Sequence, residues 1–317
     1  MSAPPSRSRD SARGFALGVL GVVIFAMTLP MTRLAVGDAD APQLPPAFVT
    51  AGRAALAGLL SLVYLAWVRA AWPARTHWRA LTICALGTVL GFPLFLALAL
   101  RHVDAMHAAV ITGVLPLGTA VAAALWMRQR ASRGFWCCAV VGCALVLAFA
   151  AYRGHGRLSA ADGLLLLAVA SASIGYVAGA QVSTRLPAEH VICWVLAFSL
   201  PLTLPGMWLT WPASAATVHV AAWGGLAYVT LFSMWLGFFA WYRGLALGGV
   251  MRVSQVQLLQ PFLALMFAVP VLGEQLDATT VLFALAVMAV VLVGKRMPVW
   301  APKIESPTPS AAGVASP

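Results

Sequence analysis

The polar groups best placed to hold a small solute stand in one stretch of the sequence, residues 244–276. It contains Ser254, Gln257, Gln260 and Pro261 and closes on Glu274. At about 100° per residue of helix, those first four fall within about 120° of one another, on a single face. Side-chain amides donate and accept together, so such a strip can bind a polar or zwitterionic ligand. Pro261 lacks an N–H and is expected to free a backbone carbonyl one turn back, near Gln257. The same amides can instead bond neighbouring helices as structural glue. Gln255 points elsewhere and reads as glue.

Other candidates are scattered. Thr28 and Thr32 lie one turn apart around Pro30, with Arg33 next. Ser173 and Tyr176 share a face, followed by Gln181, and Ser171, Gly175, Gly179 and Ser183 form a stripe of small residues suited to close helix packing. Tyr228, Trp235 and Phe239 fall on one face at helical spacing and can wall a cavity or simply pack. Arg53 lies about two turns into its apolar segment. It can snorkel to the surface, bind a substrate carboxylate, or pair with Glu274 as a gate.

The elements that must position these residues are membrane helices. Of 317 residues, 62% are hydrophobic and 9% charged, with a mean hydropathy of +0.90. A soluble domain carries about 25% charged residues. Ten apolar segments are each long enough to cross a bilayer: 14–35, 46–69, 78–100, 105–127, 134–151, 162–184, 189–210, 219–242, 250–272 and 277–294. Residues 1–13 and 298–317 read as flexible cytoplasmic tails. The first segment is too long for a signal peptide's apolar core, and the small residues Ala39 to Ala41 lie well past its end.

The fourth and ninth segments are related. Pro261 and Pro116, Met251 and Met106, Leu245 and Leu100, and Glu274 and Gln129 all pair at one spacing of 145 residues. Thr112 takes the place of Gln257. The expected fold is all-α and integral to the membrane, ten helices built as two five-helix repeats over 14–151 and 162–296. With the N-terminus in the cytoplasm, fifteen of the twenty Lys and Arg residues fall on the cytoplasmic side and five outside. This bias puts both termini in the cytoplasm. Five helices per half is odd, so the repeats must be inverted. The +11 net charge therefore reflects membrane orientation, and nucleic acid is not an expected partner.

The chain resembles an EamA-type member of the drug/metabolite transporter superfamily. The resemblance rests on the duplicated five-helix plan, on Arg53 in VTAGRAALAG, and on FFAWYRGLALGG leading into a helix with a central proline and a closing Leu272-Gly273-Glu274. It covers about residues 14–296. It implies transport of small metabolites, often export, through a central cavity in the bacterial inner (plasma) membrane. One departure stands out: the fourth segment closes on Met127-Arg128-Gln129-Arg130 in place of the family's Gly-Glu pair.

Several classes are disfavoured. The cysteines Cys84, Cys137, Cys138, Cys143 and Cys193 lie in apolar runs without a CxxC pair or a histidine cluster, so no metal or other cofactor is expected. The chain has no GxxxxGK[ST] phosphate loop. An integral-membrane enzyme acting on a lipid or small apolar substrate is the rival reading, but no His, Asp, Glu or Cys cluster supports it. The partners expected are a small-molecule substrate and the lipid bilayer. The fifth and tenth segments carry almost no polar residues, which places them at the periphery, where they can support a homodimer.

Overall fold

The computed structural model describes residues 5–126, 130–183, 186–248 and 253–300. Among these, nine helices are long and apolar enough to cross a membrane: α1 Ala12–Val36, α2 Pro46–Trp67, α3 Arg75–Ala99, α4 Ala105–Trp126, α5 Arg133–Arg153, α6 Ala160–Ser183, α7 Glu189–Leu209, α8 Val220–Leu245 and α10 Ala278–Arg296. Between the last two lies α9, Val256–Leu272, which is apolar but shorter. The chain is thus an all-helical membrane protein of nine to ten apolar helices. Helix begins as early as Pro5, within the expected N-terminal tail. The C-terminal tail opens with Val299–Trp300 paired antiparallel to Arg130–Ala131, so its first residues are tied to the α4–α5 connection.

Local chemistry sets the helix ends. Pro46 opens α2, where a missing N–H has no cost. Ser132 caps α5 through Phe135 N–H (3.2 Å), and Asp277 caps α10 through Thr280 N–H (2.7 Å). Ser159 and Asp162 form a reciprocal capping box at the start of α6. Helix α9 stops at Gly273, whose φ of 70° is left-handed and whose N–H bonds to Val269 O.

Four irregularities matter most. Helices α3 and α8 each contain a π-helical segment, Ala85–Gly91 and Val229–Leu236. Helix α4 breaks between Thr112 and Leu115. Helix α9 begins as a 3-10 segment, Ser254–Leu259, that becomes α-helical at Gln260. Pro116 and Pro261 are each the second residue of the α-helix that follows the irregularity, where a proline ring is tolerated. Shifted by 145 residues, the break in α4 lands on the end of the 3-10 segment, and the first π segment lands on the second.

The expected loose carbonyl at Gln257 is not found. Gln260 N–H bonds to Gln257 O, because the tighter 3-10 turn supplies the donor that Pro261 lacks.

Packing joins α1 to α8 and α3 to α6, α1 to α9 and α4 to α6, α2 to α8 and α3 to α7. It also joins α2 to α7, α4 to α9 and α5 to α10. Exchanging every helix with the one five numbers away leaves these nine pairings unchanged, whereas the contacts of α4 with α1, α5 and α10 and of α1 with α3 have no counterpart of similar extent. Successive helices run in opposite directions. The starts of the even-numbered helices and the ends of the odd-numbered ones meet at one end of the bundle. There His219 N–H bonds to Gln43 Oε1, Arg101 to Leu44 O, Arg153 to Asp104 and Asp277, and Phe48 packs on Trp211.

The stripe on α6 is a packing face. A side chain on Gly175 would meet Thr88 Cγ2 at 2.7 Å and Thr88 N at 2.8 Å, and Gly91 sits against Ser171. Outward, large apolar side chains stand bare, among them Val63 (69% exposed), Val140 (68%) and Leu282 (66%). Such exposure suits contact with lipid.

Candidate functional site

Polar side chains from six helices converge at the centre of the bundle. Ser233, in the π segment of α8, lies 2.8 Å from Thr28 Oγ1 of α1 and accepts a hydrogen bond from Arg53 Nη2 of α2 at 3.1 Å. These line a cavity of about 60 Å³ with Thr88 of α3, Tyr176 of α6 and Gln257 and Gln260 of α9. Phe25, Phe92 and Phe238 supply its apolar wall. Gln257 and Gln260 also face an adjoining cavity of about 40 Å³, lined by Thr112, Gly113, Pro116 and Pro261. The Thr112 hydroxyl donates to Ala108 O at 2.7 Å and keeps its acceptor lone pairs.

Both spaces hold a few waters at most, whereas sites for small organic ligands occupy about 300–1,000 Å³. Neither space, as it stands, has room for a small organic ligand.

Most residues singled out from the sequence meet here: Thr28, Arg53, Thr112, Tyr176, Gln257 and Gln260, with Pro116 and Pro261 shaping the wall. The side chain of Ser254 lies outside the described residues. Trp235 is elsewhere. It packs on Tyr64 and Phe239, with ring centroids 6.4 and 4.9 Å away. The π segment is the reason: residues counted on from Tyr228 at α-helical spacing no longer share its face. Tyr228 instead stacks on Phe232 and donates to Ile24 O.

Arg53 does not snorkel, and it does not pair with Glu274. It is 3% exposed, and Nε and Nη1 are buried without an acceptor among the described residues. Glu274 is committed elsewhere: Oε1 accepts from Ala105 N–H at 2.7 Å and Oε2 from Met106 N–H at 2.8 Å. A carboxylate thus clasps the free N–H groups at the start of α4 and fastens the end of α9 to it. Burial lifts the Glu274 carboxyl above the ordinary range. The two N–H groups oppose that rise, neighbouring Asp104 adds to it, and Arg33 opposes it.

Three features escaped the sequence reading. Ser233 was one hydroxyl within an aromatic run, yet it stands 145 residues from Thr88, the spacing of the two prolines. Thr88 itself carried no local signal. His107 and Asp162 form a buried contact, Nε2 to Oδ1 at 2.6 Å, that ties α4 to α6 at the Glu274 end. Each looked like an ordinary helix-end residue when read alone. Arg33, at the same end, bonds to Leu100 O and lies 3.9 Å from Asp38. Among the described residues, the ion pair at the opposite end is Arg243–Glu189 at 3.4 Å.

Comparison with known proteins agrees with this architecture. The model of the EamA-like transporter family matches residues 12–150 and again 159–294. The chain is 42% identical over 286 residues to the uncharacterized transporter YdeK of Bacillus subtilis (strain 168), covering 90% of this chain and 98% of that one. It is 22% identical over 301 residues to the uncharacterized transporter YyaM of the same organism, covering 91% and 96%. A solved structure described only as "Crystal structure of protein" aligns with a TM-score of 0.58 at 17% identity, over 89% of this chain and 96% of that one, a likeness of fold. With a family match spanning both halves and a relative this similar along nearly its whole length, the chain belongs to the EamA-like transporter family.

Proposed function

We propose that the protein is a secondary transporter that moves a small organic molecule through its central cavity by alternating access. The observation that carries this is the convergence of Thr28, Arg53, Thr88, Tyr176, Ser233, Gln257 and Gln260, drawn from both halves of the chain, on a space now too small for a metabolite. Polar groups are costly inside a membrane and are best explained by a solute that needs them.

The two halves act as inverted five-helix repeats. Contacts that survive the five-number exchange and irregularities 145 residues apart support this, since equivalent helices then run in opposite directions. Rocking one half against the other opens the cavity to each side in turn. Glu274 clasps the outer side, and both termini face the cytoplasm of a bacterial inner membrane. Export is the direction the family resemblance implies. Helices α5 and α10 pack together at the periphery and offer a surface to a second copy.

The walls of the two cavities carry no carboxylate or imidazole among the described residues. Facilitated or exchange transport, or coupling through Glu274, therefore fits better than a central proton relay. The test is a metabolite flux screen in inside-out and right-side-out vesicles, repeated with Gln257→Ala. Flux of at least one solute, reduced about tenfold or more in the variant, is expected on losing hydrogen bonds made inside the cavity. A folded variant that carries every hit at the wild-type rate would place the path elsewhere. Chemical conversion of a solute without its movement would favour the enzyme.

A further inference from the structure

We propose that the central cavity takes a small organic anion, whose acidic group docks on Arg53, in preference to a neutral, zwitterionic or cationic solute of the same shape. The inference rests on the reading of this cavity as the transport site.

Arg53 is the observation. Its guanidinium lines the cavity, is almost wholly buried, and makes one protein hydrogen bond, to the neutral hydroxyl of Ser233. Nε and Nη1 meet no acceptor among the described residues. A guanidinium keeps its charge, and a buried charge is retained at a cost unless something neutralises it. The obvious protein candidate is occupied, because Glu274 is bound to the start of α4. Among the described lining residues, the other ionisable group is the phenol of Tyr176. The remaining polar walls are amides and hydroxyls: Gln257, Gln260, Thr28, Thr88 and Ser233.

The site therefore carries one uncompensated positive charge, with a planar fork of donors free to receive two oxygens. A carboxylate or similar oxyanion meets both needs. An ammonium group finds no counter-charge among the described lining residues, so an amino acid binds less well than the acid that lacks the amine. The charge also belongs to one half of the chain alone. Helix α7, the counterpart of α2, contains no Lys or Arg. One anion on one arginine is the stoichiometry this implies.

The experiment uses the full-length protein purified in detergent and follows its thermal unfolding with four probes of one skeleton: phenylacetate, phenylacetamide, phenethylamine and 2-phenylglycine. A parallel set is butyrate, butyramide, butylamine and 2-aminobutyrate. The anion of at least one set is expected to raise the unfolding temperature at concentrations about tenfold or more below those of its three relatives. Arg53→Gln should weaken that response about ten- to a hundredfold, the loss of charge-assisted hydrogen bonds. Arg53→Lys, which keeps charge without the fork, should retain part of it.

If Arg53→Gln does not fold, the wild-type ranking and the lysine variant decide the matter. Equal responses to all four probes overturn the proposal, as does preference for the amine or the amino acid. So does the absence of any response, or an Arg53→Gln protein that responds like wild type. Flux in proteoliposomes separates the two readings. Anion binding without flux sinks the transport reading and leaves the anion site standing. Flux of neutral or zwitterionic solutes without anion binding does the reverse.

Discussion

At the scale of single residues, the proposed alternating access makes Glu274 the group that sets how firmly one end of the bundle is shut. Burial raises its proton affinity in the closed state, and opening the end to water returns the carboxyl to its ordinary value. The closed state therefore holds the proton more tightly than the open one. By linkage, acidification favours closure, and the extra stability is lost as pH rises through the raised value. Asp38, Asp104, Arg33 and His219 share the cleft with Glu274, so the variant Glu274→Gln isolates its share. Hydrogen exchange at the Ala105 and Met106 amides, corrected for intrinsic rates, should show protection falling severalfold as pH rises in the wild type and staying flat in Glu274→Gln. Protection that falls on acidification, or an unchanged pH profile in the variant, would contradict this role.

The fate of Glu274 also marks what the sequence could reveal. Gln257, Gln260, Pro116 and Pro261 were legible because polar or helix-breaking residues stand out in apolar runs. The Arg53–Glu274 pair was not formed because matching charges by type overlooks backbone donors, and the first turn of α4 offers two of them.

At the scale of elements, the two π segments set the geometry of the site. They turn Thr88 and Ser233 toward the cavity and carry Trp235 away to Tyr64. Nothing in residue type or hydropathy marks a π turn, so a helical wheel drawn through Val229–Leu236 assigned Trp235 to the wrong face. The crossing of α3 and α6 was legible, since small residues at every fourth position admit close backbones. It gives a direct test. The variant Gly175→Val places a branched side chain against Thr88 backbone and must separate the helices. A loss of about 1–3 kcal/mol is expected from overpacking, read as a lower unfolding temperature in detergent. An unchanged or raised temperature would mean that the approach of α3 and α6 is looser than described.

At the scale of the whole molecule, the 145-residue spacing read from one pair of helices recurs in the structure. The 145-residue spacing that related Pro116 to Pro261 also relates the π segments, and nine helix pairings are kept on exchanging helices five apart, as the two proposed repeats require. Their role as moving halves is the central claim here. It is tested most directly by a single cysteine at Thr112, in a chain whose five native cysteines are replaced, probed with a membrane-impermeant thiol reagent from each side. The account predicts labelling from either side, with labelling from the Glu274 side abolished when α4 and α9 are cross-linked there and labelling from the other side retained. Labelling from both sides that persists through the cross-link, or from one side only under every condition, would contradict alternating access.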